Sequence, residues 1–218
     1  MAGPPLPSSP RVSEPDLPAR LQDGPRPTRG SESFQLRWSE LDSVTDAAHA
    51  ALTECTVVAA SVDRLDLSGA TLVDVDLREL RATTLTARSA RLRRVRIVGG
   101  RIGTLDLADA DLAEVELRGV RIDYLSLAGA RVTDALVADC TIGTLDLPQA
   151  TVSRMAFAGC RADDVDSRRL RAEDLDLRGL EALSYLDPGS LRGATLSARQ
   201  VEQLASALAH ALGIRVVG

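Results

Sequence analysis

The sequence predicts an all-β protein, a four-sided parallel solenoid with a short α-helix over its C-terminal end. Three observations predict this. An apolar residue recurs every five positions from Leu52 to Leu177, with Ser167 as the polar exception. A companion series two places earlier, from Ala50 to Leu175, is apolar except for Gly100. Within the companion series, size repeats every twenty residues: Leu65, Leu85, Leu105, Leu125, Leu145 and Val165 are large, while Ala70, Ala90, Ala110, Ala130 and Ala150 are small. Neither the helical nor the strand period produces a five-residue pattern, and a fixed internal repeat sets the architecture. Four pentads therefore make one turn. The repeat holds about six and a half turns at about 4.8 Å each, a rod roughly 30 Å long.

Residues 1–33 come first and carry Pro4, Pro5, Pro7, Pro10, Pro15, Pro18, Pro25 and Pro27 among serine, glycine and charge. Such a composition buries too little apolar surface to fold, so a disordered tail is expected. It lacks the apolar stretch of a signal peptide. Residues 34–49 form an N-terminal cap, with Phe34, Leu36, Trp38 and Leu41 gathering apolar surface over the first turn. A solenoid needs such caps because each end exposes strand edges and an apolar cross-section.

Residues 50–181 are the repeat. Where the fifth-position residue shrinks to alanine its companion is leucine, as in Leu80 with Ala82, Leu85 with Ala87 and Leu170 with Ala172. That is volume compensation in a close-packed interior. Cys55, Cys140 and Cys160 fall on the companion series, so they read as buried small hydrophobes. Cys140 and Cys160 should stack on adjacent turns, where a redox-active pair is the alternative. An odd cysteine count without a secretory segment points to a reducing cytosol.

The triplets Leu65-Asp66-Leu67, Leu105-Asp106-Leu107, Ala110-Asp111-Leu112, Leu145-Asp146-Leu147 and Leu175-Asp176-Leu177 resemble the core of the pentapeptide-repeat family. The resemblance covers residues 50–181 and implies a right-handed quadrilateral parallel β-helix. The chain departs from the family pattern in placing phenylalanine centrally once, at Phe157, and in having no asparagine.

Residues 182–218 form the C-terminal cap. Asp187-Pro188-Gly189 reads as a turn. Ser197 and Gln200 have capping-box spacing, and Val201, Leu204, Leu208 and Leu212 follow at helical spacing up to Gly213. A helix over about 198–212 is expected. With Ile214, this face carries more apolar surface than a small cap uses, and exposed apolar patches mark association sites. Dimerisation through C-terminal ends is also what the resemblance implies. Val201, Leu204, Leu208, Leu212 and Ile214 are therefore the candidate homodimer interface.

Composition excludes much chemistry. His49 and His210, the two histidines, fall in opposite cap regions and cannot share a metal. No Cys-x-x-Cys pair, phosphate-binding glycine loop or nucleophile elbow is present, so no catalytic, cofactor or metal site is expected. No apolar run is long enough for a membrane helix. All 26 basic residues are arginine, which fits codon bias in a GC-rich bacterial genome.

The outward columns remain. One reads Asp66, Thr86, Asp106, Ser126, Asp146, Asp166; another reads Arg81, Arg101, Arg121, Thr141, Arg161. Like charges stacked one strand apart repel. Either local pairing neutralises them, for instance Asp123 with Arg121 and Asp163 with Arg161, or they form a docking surface. The expectation is a cytoplasmic, non-enzymatic protein–protein interaction module. The alternative implied by the resemblance is a DNA mimic that binds DNA gyrase and protects it from quinolones. Residues 60–180 hold 20 acidic and 18 basic side chains, a balance of −2. That is weak for a polyanion mimic. Near-neutrality and 2% aromatics also argue against direct nucleic-acid binding.

Overall fold

The computed structural model describes residues 6–217. Strands wind into a coil in which each turn adds one strand to each of two parallel sheets. One sheet has 11 strands and the other 8. Along the repeat, eight-residue strands such as Thr71–Arg78 alternate with six-residue strands such as Arg81–Thr86. Register is constant. Leu105 pairs with Leu85 and Leu125, and Leu112 with Leu92 and Val132, each twenty residues away. The size columns read from the sequence are thus physical stacks.

Both inward series are buried. Leu105, Leu125 and Leu145 are each 0% exposed. Ser167, the polar exception, is also fully buried, and its Oγ donates to the Leu186 or Asp187 carbonyl, both at 3.0 Å. The interior hydroxyl is tolerated because it is hydrogen-bonded: the Leu186 and Asp187 carbonyls accept it on a second lone pair, beside the backbone N–H groups of Ser167 and Ser190. The three cysteines are buried thiols. The Cys140 S–H points at the Ala138 carbonyl and the Cys160 S–H at the Val137 carbonyl, both at 3.2 Å.

Three of the four corners of each turn use left-handed backbone. The positions are 49, 69, 89 and onward by twenty; 54, 74, 94 and onward; and 59, 79, 99 and onward. Fifteen of the residues at these corners, among the described residues, are not glycine. Each is strained by roughly 1 kcal/mol, and the ladders and interior on both sides hold it there. Gly100 occupies an inward position with φ +82°, and a Cβ there would lie 2.2 Å from the Leu80 carbonyl oxygen. The glycine in the companion series therefore marks a close backbone approach.

The coil is longer than the sequence pattern. The 8-stranded sheet has eight levels, roughly 34 Å from first to last, because flanking residues continue the winding. Val44–Asp46 pairs with residues 64–66, and Leu180–Leu186 with residues 160–166. In the N-terminal cap Trp38 is buried and donates Nε1–H to the Pro25 carbonyl at 2.8 Å. Phe34, expected to cover the end, is 60% exposed. Register is the reason: Phe34 pairs with outward Thr53, whereas Ser33 pairs with inward Leu52.

The helix spans Ala198–Ala211, and Ser197 and Gln200 form a capping box. Gln200 also donates to the Leu177 and Leu180 carbonyls at 2.7 and 2.9 Å. The same side chain thus caps the helix and ties it to the last turn.

The segment for which composition predicts disorder is described from Leu6 onward and is fastened to the rod at Arg11, Glu14 and Asp16; Pro4 and Pro5 lie outside the described residues. From Val12 on, every third residue, Val12, Pro15, Pro18, Leu21, Gly24 and Pro27, is partly or fully buried, while Pro7, Pro10 and Leu17 are half-buried outside that phase. That three-residue period is the repeat of a polyproline II helix.

Candidate interaction surfaces

The basic and acidic columns lie at the two ends of the strands of the 8-stranded sheet, as in Arg101–Asp106. The basic column is stacked as expected: Arg101 pairs with Arg81 and Arg121 in register. Its neutralisation follows the sequence reading only in part. Asp123 lies 3.0 Å from Arg101, on the preceding turn, and 3.8 Å from Arg121. Arg161 meets Glu181 of the next turn at 3.5 Å, because a neighbouring strand lies closer than an outward residue two places along. All these groups are half-exposed or more, so the pairs contribute little stability. Arg81 has no carboxylate within ion-pair distance among the described residues. A shallow groove of about 440 Å³ runs beside Arg81, Arg101, Gly103 and Asp123.

The acidic column is tied into the corners. Asp66, Asp106 and Asp166 each accept the N–H two residues on, from Ser68, Ala108 and Arg168, all at 3.0 Å. This local side-chain to backbone bond fixes an Asx-type turn. Arginines then cover them: Arg64 on Asp66, Arg88 on Asp106 and Arg168 on Asp166. Asp146 instead accepts from the Tyr124 hydroxyl at 2.9 Å. The Arg168 guanidinium holds the Asp166 carboxyl below its ordinary value. At Asp66 burial raises the pKa, but the hydrogen bonds from Ser68 and Arg64 outweigh it, and the net direction is downward.

Between the turns the interior holds a void of about 20 Å³ beside Ala135 and Met155. A larger cleft, about 720 Å³, opens where the helix leaves the last turn. It is lined by Arg161, Asp163, Arg178, Glu181, Tyr185 and Arg199 among others. At this end the coil stops and the helix covers it incompletely. The Tyr185 hydroxyl is buried there without a hydrogen-bond partner, and burial pushes its pKa up.

The same end carries the exposed apolar surface. Leu204 packs against the core, and Leu208 is half-buried. Val201 is 45%, Leu212 77%, Ile214 54%, Leu183 85% and Val217 92% exposed. Leu183, on the last turn, was not among the residues singled out from sequence. Its odd place is visible there, since the same column holds Asp63, Asp123 and Asp163.

A third surface was missed altogether. The left-handed corner column 54 + 20n reads Glu54, Asp74, Arg94, Glu114, Asp134, Arg154, Asp174. Arg94 grips Asp74 with two bonds of 2.6 Å, and Arg154 grips Asp134 with two of 2.7 Å. Asp74 and Asp134 are buried although they point away from the interior, and these arginines hold both carboxyls below their ordinary value. The N-terminal segment lies over them. Its Asp16 N–H donates to Asp74, and its Arg11 N–H to Asp134, both at 2.9 Å.

A five-residue apolar repeat, four repeats per turn and a constant twenty-residue register in both sheets together decide the fold. The chain is a parallel β-helix built from five-residue repeats. No family model and no curated protein matches it. Similar solved structures include two trypsin-treated variants of QnrB1, described as a plasmid-mediated fluoroquinolone resistance protein. One is 18% identical, covers 86% of this chain and 98% of its own, and superposes with a TM-score of 0.40. The other is 17% identical over 88% and 94%, with a TM-score of 0.22. The assignment rests on the repeat and its register. Among the described residues, no three His, Cys, Asp or Glu side chains are grouped to hold a metal. No helix among them is long and apolar enough to cross a membrane.

Proposed function

We propose that this β-helix of five-residue repeats is a rigid, non-enzymatic protein–protein interaction module that pairs with a second copy through its C-terminal end. The apolar C-terminal surface carries this reading. Leu183, Val201, Leu212, Ile214 and Val217 are all exposed at one end of the rod, and contiguous exposed apolar surface marks an association site. The ladders and filled interior support the rigid part of the reading, since the sides of the rod have nowhere to collapse. Multi-angle light scattering tests it. The parent should run at twice the mass of one 23.1 kDa chain, and Leu212→Glu, at a site 77% exposed and outside the core, should run as a monomer. A monomeric parent, or a Leu212→Glu dimer, contradicts the end-to-end pairing.

The DNA-mimic alternative requires a continuous negative side matching a phosphate field. The arginines over Asp66, Asp106 and Asp166 weaken that side, so the interaction-module reading is preferred. Gyrase supercoiling with and without ciprofloxacin separates the two: neither inhibition nor protection removes the mimic.

A further inference from the structure

The N-terminal segment follows the left-handed corner ladder with a matching pitch. Asp16 bonds Asp74 and Arg11 bonds Asp134. Their partners lie sixty residues apart on the column, a rise of about 14 Å at the strand spacing. Asp16 and Arg11 are five residues apart, about 15 Å in polyproline II. The segment therefore runs against the direction of winding without stretch or slack.

The chemistry of the contact repeats as well. Asp74 and Asp134 are three turns apart and have the same surroundings: an arginine one turn on, bound through two nitrogens, and one N–H from the segment on Oδ1. The two donors, Arg11 and Asp16, each follow a proline, Pro10 and Pro15. Proline fixes the extended backbone before binding, which lowers the ordering cost. Recognition reads the backbone N–H after proline, and Glu14 adds an ion pair to Arg96 at 2.8 Å.

We propose that this corner ladder is a docking site for extended peptides bearing two Pro-Xaa steps five residues apart, and that residues 7–18 occupy it in cis as an internal ligand. In the resting chain the strap covers the ladder, and an incoming peptide of this kind must displace it. The C-terminal surface takes no part, so this inference stands or falls apart from the proposed pairing.

Two measurements on the full chain test it. In the parent, the Arg11 and Asp16 amides should exchange with deuterium at least tenfold more slowly than in the free peptide. The Ser13 amide, which donates no hydrogen bond, should not. Exchange of Arg11 and Asp16 at the free-peptide rate overturns the docking. The variant Arg11→Pro with Asp16→Pro removes both donors and keeps the polyproline backbone. Ser13→Pro is the control. A fluorescent peptide of residues 6–18 should bind the double variant at least tenfold more tightly than the parent or the control. A peptide with Pro15 and Glu14 exchanged, which breaks the five-residue spacing, should bind at least tenfold more weakly. Absence of binding to the double variant, equal binding to the parent, or equal binding of the respaced peptide overturns the proposal.

Discussion

Leu125→Ala probes the stacked interior at its centre. Leu125 is 0% exposed and sits in register between Leu105 and Leu145, both also 0% exposed. Removing three carbons at about 0.8 kcal/mol each loses about 2.4 kcal/mol of transfer free energy. A cavity term adds to this, because strands bonded on both sides cannot close the gap; the total should reach about 3–5 kcal/mol. At roughly 2–4 °C per kcal/mol for a chain of this size, the melting temperature falls by at least about 6 °C. Thr104→Ala is the control: it lies next to Leu105 on the neighbouring strand but faces outward, half-exposed. Its effect should stay within about 0.5 kcal/mol. Urea titration and thermal melting of both variants give the comparison. Equal costs would refute the assignment of the companion series to the interior.

Two other expectations follow from single features. Gly100→Ala places a Cβ 2.2 Å from the Leu80 carbonyl at φ +82°, so it should cost more than about 1 kcal/mol; an unchanged urea midpoint would contradict that close approach. Asp74 and Asp134 have folded-state pKa values below the ordinary 3.8. Their contribution is therefore complete above about pH 4 and is lost as the pH falls through 3.8 toward the depressed values. The urea midpoint should drop in that window, and less steeply in the Asp74→Asn, Asp134→Asn double variant. An identical acid profile in that variant would show that the two carboxylates are not stabilised in the folded state.

The interior of the rod was legible because a close-packed column constrains residue volume, and volume is written in the sequence: Leu65 to Leu145 and Ala70 to Ala150 name their stacks. The helix was legible for a local reason, since Ser197 and Gln200 are three residues apart and bond each other. What escaped depends on relations between distant segments. The left-handed corners carry Asp, Glu, Arg, Ser and Gln as readily as glycine, so backbone strain left no composition signal. Pairing across turns moved Arg161 from Asp163 to Glu181. Register turned Phe34 outward. The N-terminal segment is too polar to build a core of its own, yet it is ordered by a surface already folded, through the match of polyproline rise to turn spacing. The recurrence of Pro-Xaa at Pro10-Arg11 and Pro15-Asp16 was its one visible sign.

Double electron–electron resonance between nitroxides on one column reads the turn spacing directly, since the three native cysteines are buried. Labels at Arg81→Cys and Arg161→Cys, four turns apart in one sheet, should lie about 19 Å apart. Labels at Ser61→Cys and Glu181→Cys, six turns apart, should lie about 29 Å apart, with a common offset for the linkers. Growth of about 10 Å between the pairs is the predicted result; distances that do not increase in proportion to the number of turns would contradict the stacked coil.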